Sequence, residues 1–221
     1  MHQCSGLEQI SEGNHGRQPA LSVAVQINTR VWLQRLSRDA GKQVTLADID
    51  DATLDGSVER GFDCVWLLSV WQTGAAGRSV SRGNPRWCAE FKTALPDLHD
   101  EDIYGSSFAI TAYTISDLLG GQRALAQFRE RLARRGIKLM LDFVPNHTAP
   151  DHPWVKTRPE YYVDVSEEEA LARAPENYLP VATDRGSRIL ARGRDPNFPG
   201  WPDTCSSTTP TQSCRQPGST S

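Results

Sequence analysis

The chain has 221 residues, of which 38% are hydrophobic and 23% charged, a balance that supports one globular domain and excludes a chain disordered throughout. Its formal net charge is −3, and its basic cluster, Arg129, Arg131, Arg134 and Arg135, alternates with Glu130 and apolar residues, so no nucleic-acid partner is expected. No apolar run approaches the roughly 18 to 20 residues of a membrane span, so no membrane partner is expected either.

Residues 1–20 are polar and glycine-bearing and read as a flexible lead-in, without the basic segment and apolar core of a secretory signal. A cytoplasmic location is the corresponding expectation, and in a reducing compartment Cys4, Cys64, Cys88, Cys205 and Cys214 are expected as free thiols. They form no CxxC pair, which argues against zinc. Residues 21–32 are rich in β-branched side chains, with Val23, Val25 and Ile27 alternating, and predict a strand running into a loop. Residues 45–60 place Leu46, Ile49, Leu54 and Val58 at helical spacing before Gly61. The nearly continuous apolar run 62–71 predicts a parallel strand covered on both faces.

The polar, glycine- and serine-rich stretch 72–107 predicts a long loop, a feature more often functional than structural. Residues 118–135 follow as a helix, with Leu125, Phe128 and Leu132 on one face and Gly136 at its end; residues 137–144 are the third strand. Alternating strands and helices imply α/β architecture with a parallel sheet and right-handed crossovers. Beyond Pro145 the prolines at 150, 153, 159 and 175 predict irregular chain, with one short helix at 166–173 whose first turn, Glu167 to Glu169, Ser166 can cap.

In parallel α/β folds ligands bind beyond the carboxyl ends of the strands, so polar residues closing an apolar run carry the information. The third strand runs into Asp142-Phe143-Val144-Pro145-Asn146-His147. A carboxylate interrupting an apolar strand needs hydrogen-bond donors or a cation, and a histidine in the following loop can bond a sugar hydroxyl or a metal. On pattern alone, a turn-capping Asp142 and a surface His147 fit equally well.

DFVPNH resembles the Asp-x-x-x-Asn-His signature after the third barrel strand of the α-amylase superfamily of glycoside hydrolases. Residues 26–32 are similar to that family's first strand and its exit, 61–68 to its second helix-to-strand junction, and 105–121 to the segment bearing a sugar-stacking aromatic. Gly193-Arg194-Asp195-Pro196 and Trp201-Pro202-Asp203 resemble an insertion after the third strand in one branch of the family, so the likeness covers residues 21–204. It implies an incomplete TIM (β/α)8 barrel: the first three βα units plus that insertion. It further implies that His147 bonds the sugar beside the scissile linkage, that Phe108 is the stacking platform, and that Asp142, Asn146 and Tyr113 organise the site. Asn146 would contribute to a calcium site, with no other cofactor required, and the partner would be an α-glucoside or maltooligosaccharide. Ala112 departs from the pattern, which often has Asp before the aromatic matched by Tyr113.

In that family the reaction is retaining and needs a nucleophilic carboxylate and a carboxylic acid. The resemblance places them after the fourth and fifth strands, so it assigns no catalytic residue to this chain, and the expectation is an inactive N-terminal fragment of a hydrolase or transglycosylase. Residues 205–221, which hold no aliphatic or aromatic side chain, read as a non-homologous Ser/Thr-rich tail. A one-base shift of back-translated codons permits Leu-Gln-Leu-Asn-Tyr-Ala-Asn, so a frameshift near Thr204 is the expectation to be tested on nucleotide sequence. Two other readings stay open: a non-catalytic carbohydrate-binding fragment, and a small hydrolase or phosphotransferase with Asp142 as nucleophile, for which neither Gly-x-Ser-x-Gly nor a P-loop is present.

Overall fold

A computed structural model of the chain describes residues 23–208; the lead-in at 1–20 and the segment 209–221, with Cys214, lie outside the described residues. The elements in chain order are β1 (Ala24–Asn28), α1 (Thr29–Ala40), α2 (Asp51–Glu59), β2 (Cys64–Leu68), β3 (Trp71–Thr73), α3 (Ala75–Arg82), α4 (Pro85–Ala94), β4 (Ile110–Ile115) and α5 (Gly121–Ala133). They continue with β5 (Lys138–Leu141), β6 (His147–Thr148), α6 (Pro153–Thr157), α7 (Glu167–Arg173), β7 (Tyr178–Thr183), β8 (Gly186–Ala191) and β9 (Cys205–Ser206). The chain is α/β, and its central sheet is parallel with strand order β1-β2-β5.

One face of this sheet carries the core. Phe128 and Leu132 of α5, Leu33 of α1 and Leu54 of α2 pack with Val65 and Leu67 of β2, all at most 3% exposed. Because side chains alternate along a strand, Val25 and Ile27 of β1 and Leu139 and Leu141 of β5 join the same face. The opposite face is covered less: Gln26 and Met140 are exposed and Trp66 and Leu68 of the central strand half-buried, so burial on both faces is partial at β2 and fails at the two edges. Arg131 of α5 and Arg135 just beyond it pair with Asp51 and Asp55 of α2, at 2.8 Å and 2.6 Å, so two members of the basic cluster are neutralised within the fold.

Four local expectations need correction. The loop after β1 is instead α1: the Asn28 side chain accepts from Val31 N, and Trp32 turns edge-on to Phe128, giving the segment an apolar face. The helix expected from residue 45 begins at Asp51, because Asp48 folds back on Thr45 N and Oγ1 and Asp50 caps the turn at Thr53 N; Leu46 and Ile49 are core residues on a turn that happen to share helical spacing. The stretch 72–107 contains β3, α3 and α4, the last started by Asn84 as cap and Pro85 in the first turn. The region after Pro145 holds the antiparallel hairpin β7–β8, turned at Asp184-Arg185 with Gly186 at φ 98°. The helix α7 starts as expected, with Ser166 Oγ accepting from Glu169 N.

The chain past Thr204 enters the fold. β9 pairs antiparallel with β6, Thr148 opposite Cys205, and Cys205 is fully buried with Tyr162 and Leu190 in a second, smaller core. Cys64, Cys88 and Cys205 are free thiols, and no helix among the described residues is long and apolar enough to cross a membrane.

Candidate functional site

The carboxyl ends of β2 and β5 meet at Asp142. Its Oδ1 accepts from the Trp66 indole N–H at 2.9 Å and its Oδ2 from Ser69 N at 3.1 Å, while its backbone carbonyl accepts from the Trp71 indole at 2.9 Å. Ser69 is held at φ 68°, a left-handed conformation that costs energy in any residue with a Cβ and that the Asp142 bond stabilises. Asp142 is buried, and both its carboxylate oxygens are occupied. These bonds tie Asp142 to the exits of both strands.

Tyr113, on β4, locks the next turn: its hydroxyl donates to the Val144 carbonyl at 2.7 Å and accepts from Val144 N at 3.0 Å. Its ring lies between Trp71 and Phe143, at 5.1 Å and 5.7 Å between centroids, and partial burial raises its pKa. This clamp precedes the turn on which His147 lines a cavity of about 840 Å³.

His147 lies in the wall of that cavity, 7% exposed, edge-on to Trp201 at 5.3 Å between centroids. Burial lowers its pKa below the ordinary imidazole range, and a hydrogen bond to the Phe108 backbone opposes that shift only in part. Its Nδ1 is buried with no hydrogen-bond partner among the described residues. Phe108 lines the same cavity with 42% of its surface exposed, so it is not a core phenylalanine. His147 and Phe108 thus share one cavity, while Asp142 and Tyr113 sit behind it as supports.

Asn146 is exposed, and its backbone carbonyl accepts from Ser207 N at 3.0 Å. Calcium takes six to eight oxygen ligands. Among the described residues no group of three or more His, Cys, Asp or Glu gathers that could hold a metal ion.

Three cavity residues were not singled out from sequence. Arg30 lies in the floor, its Nε and Nη2 donating to the carbonyls of Ser69 and Trp71 at 3.0 Å and its Nη2 to Thr73 Oγ1 at 3.2 Å; its guanidinium lies 6.0 Å from the Tyr104 ring centroid. Trp201 and Asp203 reach the wall from the segment after β8, and burial pushes the Asp203 carboxyl above its usual range against the opposing charge of Arg192. The contexts Thr-Arg and Trp-Pro-Asp were visible in sequence, but nothing local says that they converge on His147.

Gly105 shapes the cavity from its own backbone. It sits at φ 79°, and a Cβ there would lie 2.5 Å from the Gly77 carbonyl carbon. Only glycine allows this approach between the loop before β4 and α3.

The α-amylase catalytic-domain family model matches residues 99–179, the span from the loop before β4 through Asp142 and His147 to the start of β7. No curated protein sequence gives a significant match. Among solved structures the chain is similar to a family GH13_31 enzyme (17% identity, TM-score 0.51) and to the α-glucosyl transfer enzyme XgtA (17%, 0.52). It is also similar to the trehalose-6-phosphate hydrolase of Bacillus licheniformis (16%, 0.51). Each alignment covers 84% of this chain, which spans 30%, 30% and 29% of those chains, respectively. Identities this low speak for the fold, and the family match adds the motif-bearing segment. Residues 99–179 thus resemble part of an α-amylase catalytic domain, and the chain shares its fold with about 30% of these larger enzymes.

Proposed function

We propose that this chain supplies the sugar-binding part of an α-amylase-type active site for α-glucosides, corresponding to the first three βα units of a (β/α)8 barrel and the insertion that follows the third strand. The parallel order β1-β2-β5 supports that correspondence, since consecutive βα units place consecutive parallel strands side by side. The observation that carries the reading is the pairing of His147 and Phe108: an imidazole and an exposed aromatic face line one cavity of about 840 Å³. An imidazole in a cavity wall can exchange a hydrogen bond with a sugar hydroxyl. The Phe108 ring offers the flat apolar surface on which the C–H face of a pyranose packs.

Retaining hydrolysis requires two free carboxyl groups. Two carboxylates line this cavity, and one of them, Asp102, is engaged by the Gln34 amide, His99 N and Arg38. Asp203 alone cannot be both nucleophile and acid. The chain by itself therefore binds without turnover, and hydrolysis, isomerisation or transfer belongs to an arrangement that adds the family's catalytic pair.

Isothermal titration of the purified chain with methyl α-glucoside and maltotriose tests the reading. Saturable binding that His147→Ala abolishes is expected. Binding that survives both His147→Ala and Phe108→Ala would place the sugar elsewhere and end the proposal.

A further inference from the structure

From the segment after β8 we infer that Asp203 selects the sugar: its carboxylate accepts hydrogen bonds from two adjacent ring hydroxyl groups of the glucoside that His147 and Phe108 also contact. This rests on the reading of those two residues as sugar-facing.

The segment is tied down by its own hydrogen bonds. Trp201 N donates to the Gly193 carbonyl at 2.8 Å, Gly193 N to Thr204 Oγ1 at 3.1 Å, and Thr204 Oγ1 to the Trp201 carbonyl at 3.2 Å. The Arg192 guanidinium fastens the Pro202 carbonyl. Gly193 lets these parts close on His147, since a Cβ there would lie 2.8 Å from Thr204 Oγ1 and 3.2 Å from the His147 Cβ. Asp203 therefore stands on a turn held from both sides, two residues from the indole that meets the His147 ring edge-on. Its Oδ2 lies beside α3, 4.0 Å from where a Cβ on Gly77 would stand.

Its carboxylate differs from the other acidic groups around the cavity in what it lacks. Asp142 accepts from Trp66 and Ser69, Asp102 from Gln34 and His99, and Asp151 from Ala76. Asp203 is 7% exposed and lines the cavity, yet among the described residues no other residue donates a hydrogen bond to it, and Arg192 acts on it only as a nearby charge. A buried carboxylate left without donors is costly and uncommon, and the burial that raises its pKa has the same origin. No oxygen of Asp203 is sealed off without a partner as His147 Nδ1 is, so a ligand in the cavity can reach it.

An ionised carboxylate offers two acceptor oxygens and no donor. Two hydroxyl groups on neighbouring ring carbons present two donors side by side, one for each oxygen. Hydrogen bonds to a charged acceptor are about twice as strong as those between neutral groups, so the loss of one such hydroxyl should be felt more at Asp203 than at a neutral contact.

The test titrates the full chain with methyl α-glucoside and its 2-, 3- and 4-deoxy analogues. The anomeric oxygen of a glucoside is substituted, so every adjacent pair of ring hydroxyl groups includes the one at C3. The 3-deoxy analogue should bind at least about tenfold more weakly than the glucoside, and one of the other two should follow it. In Asp203→Ala the ratio of glucoside to 3-deoxy affinity should fall towards unity. Asp203→Asn, which keeps the shape and one acceptor oxygen, should fall between and supplies the comparison if the alanine variant does not fold. A parent chain that binds the 3-deoxy analogue as tightly as the glucoside, or a ratio unchanged in the variants, would overturn the inference while leaving the sugar site standing. Equal loss of affinity for all four sugars in Asp203→Asn would show a merely structural role and overturn it as well. Failure of the parent chain to bind any of the four would overturn the sugar site and this inference together.

Discussion

Replacing Asp142 by alanine removes the acceptor for two donors at once, the buried Ser69 N–H and the half-buried Trp66 indole N–H. An unsatisfied buried donor costs about 1–3 kcal/mol, so the pair should cost about 2–5 kcal/mol, with Ser69 also losing the bond that holds its left-handed backbone. Asparagine at 142 keeps one acceptor oxygen and should lose about half as much. Urea unfolding followed by tryptophan fluorescence reads the difference. For a chain of this size a slope of about 2 kcal/mol per molar converts the alanine loss into a midpoint lowered by about 1 to 2.5 M. Two results would refute the reasoning: an alanine variant within about 0.5 kcal/mol of the parent, or equal losses for alanine and asparagine.

The ordinary pKa of 6.5 is lowered for His147 by burial, so the folded chain takes up its proton less readily than the unfolded chain; stability is full above pH 6.5 and falls as pH drops from there towards the lowered folded value. His152 shifts the same way and Asp203 the opposite way, so the readout is the difference between the parent and His147→Gln, whose stability gap should narrow between pH 7 and 5; a gap independent of pH would contradict the burial argument. Gly105→Ala should cost about 2 kcal/mol or more, from positive φ and from a Cβ pressed on the Gly77 backbone, and should weaken sugar binding as the cavity wall shifts; thermal melting and titration at parent-like values would argue against that close approach. The chain alone should release no nitrophenolate from 4-nitrophenyl α-glucoside above the buffer rate, and release that disappears in Asp203→Asn would show that a single free carboxylate suffices.

Residues at strand ends were readable from sequence because their signal is local. Asp142 breaks an apolar run, and the Asp-x-x-x-Asn-His spacing is contained in one turn, so neither needs the rest of the fold to be noticed. The helix α5 was equally legible, since Leu125, Phe128 and Leu132 repeat with the helical period and Gly136 closes it. By contrast, α3 and α4 were read as loop because serines, glycines and arginines dominate the stretch, and the apolar positions of α4 serve a cavity rather than the core. Leu46 and Ile49 misled for the converse reason: burial put apolar residues at helical spacing on a turn that Asp48 stabilises. Trp201 and Asp203 reach His147 only because the segment after β8 returns to the cavity, and no periodicity records such a return.

The claim that the cavity is a sugar site centred on His147 is tested most directly by its imidazole resonances. In the chain titrated with methyl α-glucoside, the ring signals of His147, assigned by their loss in His147→Gln, should move saturably, while those of His152, whose Nδ1 is already bonded to Trp154 N, should stay in place. Ring signals of His147 that do not respond at saturating sugar, or a response confined to His152, would contradict the account.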